Sequence, residues 1–239
     1  MCGFYLSADR LKELDDLQIY EIRKGIKNGV DVSVYAKPEY NGWQMEQIRL
    51  GLEGGIDVGV YAKSKYNSWQ MWQIRLGLVD GLDVSIYAKP EFGGGQMGEI
   101  RLGLKEGVDL SPYANKGFNQ RQLYQIKKGL VSNVDVNVYA NTKYDDDQMF
   151  WIRLGLEDGL DVSIYAKPEF DFEQMQEIRY GLENGVDVSI YAKPKFDYGQ
   201  MEQIRLGLES GIDVGFYTNP MNSTRQMERY RLRLEQELC

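Results

Sequence analysis

Two ladders of charged residues run through this 239-residue chain at one fixed spacing. Asp31, Asp57, Asp83, Asp109, Asp135, Asp161, Asp187 and Asp213 lie 26 residues apart, as do Arg23, Arg49, Arg75, Arg101, Lys127, Arg153, Arg179 and Arg205. A row of carboxylates could hold cations, and one cation per unit could read RNA base by base. Each ladder also has a plainer reading. The aspartate stands where a short helix would need an N-cap, a role that contributes ~1 kcal/mol. A recognition code must vary to carry specificity, and the cation position hardly varies. A structural ladder pairing with neighbouring acids or helix carbonyls is therefore expected. Catalytic chemistry has little to work with. The chain contains no histidine, which removes the commonest general base and the Ser-His-Asp and Cys-His arrangements. No P-loop, no G-x-G-x-x-G after a strand and no paired-cysteine zinc motif is present. The expectation is no catalytic residue, no cofactor and no metal.

The elements that position these ladders follow from the period itself. Tyr35, Tyr61, Tyr87, Tyr113, Tyr139, Tyr165, Tyr191 and Tyr217 keep the same register, inside the frame Q-M-x-x-I-R-L-G-L-x-x-G-[VIL]-D-V-x-[VI]-Y-A. A fixed period of this length marks a repeat array, in which each unit buries its apolar face only by stacking on its neighbours. In residues 40–62, Asn41 and Gln44 make a capping box, with Tyr40 and Met45 as the hydrophobic staple across it. Met45, Ile48 and Leu52 recur at helical spacing, and Gly55 ends the helix, so a first helix is expected over about 42–54. Asp57 then caps a short second helix through Ala62, with proline shortly after it in most copies. The rival reading makes V-x-V-Y-A a strand. Pro112 speaks against it, since proline removes a ladder donor from a strand but is tolerated in a helix's first turn. Gly51 and its equivalents inside the long helix cost ~1 kcal/mol against alanine, which close approach of the next helix would explain.

The fold class expected is all-α: an α-solenoid of eight 26-residue helix-turn-helix repeats with capping helices at both ends. One domain is expected over 1–239, with an N-terminal cap at 1–14, repeats over 15–221 and a C-terminal capping helix over 222–239. In that last helix Arg233 stands where Gly207 stood one unit earlier, so the exposed end turns polar and the chain reads as complete. The fourth unit is expected to be irregular, with Pro112 in the short helix, Lys127 for arginine, Asn133 for glycine and Gly93-Gly94-Gly95 ahead of it.

Core and cap positions barely change between copies, and variation concentrates on a few helix positions. All four tryptophans fall on variable positions. Trp69, Trp72 and Leu76 share one helix face, away from the Met71, Ile74 and Leu78 stripe. Related positions carry Trp43, Tyr124, Phe150, Trp151, Phe172 and Tyr180. These nine residues form a candidate partner-binding strip, since exposed aromatics dominate binding hot spots. Packing over neighbouring loops is the competing reading.

Composition narrows the partner classes. Net charge is −8 with both signs interspersed, which disfavours a broad nucleic-acid surface. No apolar run reaches membrane-spanning length. Cys2 and Cys239 would lie roughly 80 Å apart in an extended stack, which points to a reducing, cytoplasmic setting.

The phrase Q-M-E-Q-I-R-L-G-L-E-x-G-[IL]-D-V-S-I-Y-A-K-P-E-F resembles tandem repeats of uncharacterised bacterial, phage and mobile-element proteins. That resemblance carries no assigned activity; the wider kinship to helical solenoids implies a protein-binding scaffold, adaptor or inhibitor, in its sharpest form a phage-type inhibitor of a bacterial defence system. The alternative is a nucleic-acid-binding repeat protein using the arginine ladder. The start Met1-Cys2-Gly3-Phe4 resembles the mature N-terminus of class II glutamine amidotransferases, whose unmasked cysteine is the nucleophile. Three residues make a short match, and an all-repeat chain has no room for that αββα fold, so the chain reads as non-enzymatic.

Overall fold

Asparagine or aspartate at the start of most periods sets the first element, with Gly93 and Ser223 in that place before the fourth and last copies. Asn41 Oδ1 accepts from the Gln44 amide at 2.9 Å while Gln44 Oε1 accepts from the Asn41 amide at 2.8 Å, closing the capping box. The staple residues Tyr40 and Met45 are both buried. At the far end Gly55 takes a left-handed conformation, with φ of 69°, and the Ile56 amide returns to the Gly51 carbonyl at 2.9 Å. Asn133 takes the same conformation where this glycine is missing, with φ of 55°, as asparagine tolerates better than most residues.

The computed structural model describes residues 13–237. Its long helices are α1 (Asp16–Lys27), α2 (Gly42–Glu53), α3 (Ser68–Val79), α4 (Gly94–Lys105), α6 (Gln120–Val131), α7 (Asp146–Glu157), α8 (Phe172–Glu183), α9 (Tyr198–Glu209) and α10 (Thr224–Glu237), with the short α5 (Ser111–Ala114) between α4 and α6. The fold is the all-α repeat array expected: eight long helices are each followed by a short one, and α10 closes the series. No strand occurs among the described residues. Most of the N-terminal cap expected at 1–14, and both Cys2 and Cys239, lie outside the described residues.

The short helices are tighter than a regular α-helix. Seven of them, at 32–34, 58–60, 84–86, 136–138, 162–164, 188–190 and 214–216, are single 3-10 turns. Each begins at the ladder aspartate, whose carboxylate accepts from the amide two residues on, as Asp57 does from Gly59 at 2.9 Å. The carboxylate ladder is thus a row of caps. The fourth unit departs from the rest. Pro112 sits in the first turn of α5, the one α-helical member of the short set.

The chain divides into two compact units, Met1–Leu123 and Tyr124–Cys239, with the boundary inside α6. In the first, α1, α2, α3 and α4 pack consecutively; in the second, α7, α8, α9 and α10 do so. Two uses of the frame bind neighbours within each unit. The capping glutamine also donates through Nε2 to a backbone carbonyl 22 residues on: Gln44 to Tyr66 and Gln148 to Phe170, each at 2.6 Å. Glutamate could cap as well but could not donate, so the frame needs glutamine. The register tyrosine reaches back to the long helix of its own repeat. Tyr61 Oη donates to the Gln47 carbonyl at 3.0 Å, and a Cβ on Gly51 would stand 2.0 Å from that phenol oxygen. The helix glycine therefore exists to admit the phenol. In the fourth unit Leu110 replaces the phenol as the nearest neighbour, 2.7 Å from a Cβ built on Gly103.

Burial holds these phenols protonated. The Tyr35, Tyr61, Tyr87, Tyr165 and Tyr191 hydroxyls are pushed well above the ordinary value of 10.0, and Tyr217 is raised to about 12. Desolvation is the main cause in each case.

Candidate partner-binding surface

The arginine ladder is built inward. Arg49 is 1% exposed, donating from Nε to Glu21 at 2.6 Å and from another guanidinium nitrogen to Glu53 at 2.7 Å. Arg75 Nε reaches Gln47 at 3.2 Å, Arg101 Nε reaches Gln73 at 3.0 Å, and in the second unit Arg153 Nε reaches Gln125 at 3.1 Å. Arg205 Nε bonds Glu177 at 2.9 Å. Burial lifts the Glu177 carboxyl above its usual range, although Arg205 pulls the other way. Each of these Nε acceptors lies 28 residues back, so the ladder is a seam between successive long helices. The cations bond acids, as the sequence implies, and glutamine side-chain amides where helix carbonyls were the expected alternative. The acceptor position itself, filled by Gln or Glu in every unit but one, is not visible from one unit alone.

Trp151 stands at that acceptor position. An indole cannot accept, so Arg179 Nε is left without a hydrogen bond among the described residues. Its guanidinium lies over the Trp151 ring instead, 5.8 Å from the centroid, and bonds Asp158 and Glu183. Phe150 meets Trp151 edge-on at 5.1 Å, and Trp151 meets Tyr180 edge-on at 6.1 Å. Arg153 covers Phe150 at 5.4 Å and Arg205 covers Tyr180 at 5.5 Å. Phe150, Trp151 and Tyr180 are brought together, half-buried, under three guanidiniums.

The first unit treats its rings differently. Trp43 is 61% exposed, Trp69 49% and Trp72 41%, on the adjacent helices α2 and α3. Leu76 is half-buried below Trp72. Trp69 lies on the next helix, where a Cβ on Gly94 would approach its ring to 2.7 Å. Trp72 faces no counterpart on α4, because its equivalent there is Gly98. Tyr20 on α1 extends the row, exposed, with Lys24 Nζ 5.5 Å from its ring centroid. Tyr20 was not among the sequence candidates, yet it stands 26 residues before Glu46, at the position of Trp72, and the register alone could have found it. In the second unit Tyr124 is exposed on α6 with Lys127 and Lys128 at 5.3 and 5.6 Å from its ring. Phe172 is exposed at the first position of α8, off the strip.

Among the described residues no cluster of His, Cys, Asp or Glu could hold a metal ion, and no helix is long and apolar enough to cross a membrane. The serine two residues on holds the Asp31, Asp83 and Asp161 carboxyls below their usual range by side-chain and backbone hydrogen bonds.

The fold and surface together define a helical-repeat protein with one row of exposed indoles. Comparison with protein families, with curated proteins and with solved structures gives no match in any of the three.

Proposed function

We propose that this is a non-enzymatic protein-binding repeat protein, a scaffold, adaptor or inhibitor of a protein complex. The observation that carries this reading is the exposure of Trp43, Trp69 and Trp72 on consecutive helices. Indoles present large apolar area with few rotamers to lose, and they are enriched at interface hot spots. At equivalent positions the scaffold accepts Glu46, Gly98 or Gln176, so the fold does not require an aromatic ring there. The narrower reading, an inhibitor of a bacterial defence system acting in the cytoplasm, rests on the repeat's resemblance to phage and mobile-element proteins. Against the nucleic-acid alternative stands the geometry of the ladder, whose guanidiniums at Arg49, Arg153 and Arg179 are buried and turned to neighbouring helices.

The experiment is quantitative affinity capture with wild type and with Trp43→Ala/Trp72→Ala. Proteins recovered by wild type and lost by the variant support the reading. Equal recovery by both, or recovery of nucleic acid that falls steeply with salt, contradicts it.

A further inference from the structure

The final helix carries a surface of another kind, within the second unit. Two clefts adjoin on α10. One is lined by Gln226, Arg229, Tyr230 and Arg233, the other by Phe216, Tyr230, Arg233, Leu234 and Glu237. By the 26-residue register, the first four stand in the places of Gln200, Gln203, Ile204 and Gly207 on α9. On α9 those places serve the repeat. Gln200 Nε2 donates to the Asn222 carbonyl at 2.6 Å, and Gln203 Oε1 accepts from Arg231 Nε at 3.0 Å. Ile204 is fully buried, and Gly207 admits the Tyr217 phenol.

On α10 only the glutamine is kept. Gln226 Oε1 accepts from the Ser223 amide at 2.8 Å, as a capping glutamine does, which leaves its amide nitrogen for an acceptor. Arg229 cannot accept, and a further unit of this frame would bring its ladder arginine against it. Arg233 fills the gap a phenol would need. The seat no longer suits another repeat, yet it presents donors throughout: the Gln226 amide, two guanidiniums and the Tyr230 hydroxyl. Phe216, 75% exposed, meets Tyr230 edge-on at 5.5 Å and gives the seat an apolar rim.

The choice of cation is informative. Arg225, Arg229 and Arg233 are exposed and recur every four residues, ~6 Å apart along the helix. From residue 196 onward the chain has five arginines and no lysine. Solubility alone gives no reason to prefer guanidinium to ammonium. Bidentate recognition of carboxylates does, because the planar fork matches the carboxylate. Glu237 bonds Arg233 at 3.3 Å with both side chains largely exposed, an interaction weak enough to exchange.

We infer that this face of α10 docks an acidic helical segment of a protein partner. Carboxylates at four-residue spacing would meet Arg225, Arg229 and Arg233, and an apolar side chain would lie against Phe216 and Tyr230. A helix is the fitting occupant, since the same seat on α7, α8 and α9 of this unit packs against the long helix that follows.

The test is fluorescence anisotropy with the full chain and three probes: a labelled helical peptide bearing glutamate at i, i+4 and i+8 beside one leucine, the same peptide with glutamine for glutamate, and a labelled single-stranded oligonucleotide. The glutamate peptide is expected to bind, with affinity falling at least about tenfold on the glutamine exchange and on Arg229→Glu/Arg233→Glu. Trp43→Ala/Trp72→Ala is expected to leave this binding unchanged, which separates it from the surface proposed above. Circular dichroism should show both variants folded, since all four side chains are exposed. No binding of the glutamate peptide, equal binding of the two peptides, retention by the charge-reversed variant, or tighter binding of the oligonucleotide overturns the inference.

Discussion

The two units run one frame and spend their free positions differently. Residues 1–123 contain 16 acidic and 15 basic residues, net −1; residues 124–239 contain 20 and 13, net −7. In the first unit α2 and α3 begin on asparagine caps with no acid in the first turn, while α1 begins on Asp15 followed by Asp16. The second caps α7, α8 and α9 with Asp145, Asp171 and Asp197, and adds Asp146, Asp147 and Glu173 in the first turns. Acids there favour the helix macrodipole. One cluster of rings in each unit differs too, although Tyr124, Phe172, Tyr198 and Phe216 of the second unit are also exposed. Trp43, Trp69 and Trp72 stand in solvent, whereas Phe150, Trp151 and Tyr180 lie under guanidiniums. A repeat whose core is fixed by Met, Ile, Tyr and Gln leaves positions free to vary, so one set of rings can stay exposed while another adds cohesion.

The largest effect should strike both units alike and tests the shared frame. A Cβ at Gly77 would stand 1.8 Å from the Tyr87 phenol oxygen, and one at Gly155 1.9 Å from that of Tyr165. Gly77→Leu and Gly155→Leu should each cost about 3 kcal/mol through overpacking, read by chemical denaturation. A loss confined to one unit would show that the frame is not shared. Alkaline titration comes next. The raised phenols ionise more readily in the unfolded chain, so stability is intact below pH ~10 and falls as pH rises toward the folded values. Far-ultraviolet circular dichroism against pH should show helix loss above pH ~10; full helicity at pH 13 would contradict the phenol ladder.

A smaller effect sharpens the contrast at Trp151. Trp151→Gln restores an acceptor for Arg179 Nε of the kind that Gln125 gives Arg153, while removing two edge-on ring contacts. A hydrogen bond to a charged group and the lost ring contacts are of similar size, so stability should move by less than about 1 kcal/mol. A loss of several kcal/mol would mean that the ring cluster, not the seam, holds α7 to α8.

The period, the capping box and the aspartate caps were legible because each is a local pattern of adjacent residues. The short element was legible as a helix, but its 3-10 form was not, since three residues of V-x-[VI] carry too little periodicity to set the pitch. The second task of Gln44 was hidden because its partner lies 22 residues away, in the next unit. Trp151 shows the cost of pooling variable positions. It is one residue beyond Phe150, about 100° around the helix, and that rotation moves it from the outer face to the seam. Exposure could not be separated from partial cover by sequence, because the cover over Phe150 and Tyr180 comes from Arg153 and Arg205, ladder residues that every unit carries.

The central claim proposed is that Trp43, Trp69 and Trp72 of the first unit recognise a partner and that Phe150, Trp151 and Tyr180 of the second unit cohere. It is tested most directly by comparing Trp43→Ala/Trp72→Ala with Phe150→Ala/Tyr180→Ala for thermal stability and for capture of the wild-type partner set. The first variant should keep its melting temperature within about 2 °C and lose the captured proteins. The second should melt lower and, below its transition, capture them as wild type does. The reverse result, with the first variant unfolding and the second losing the partner, would contradict the account.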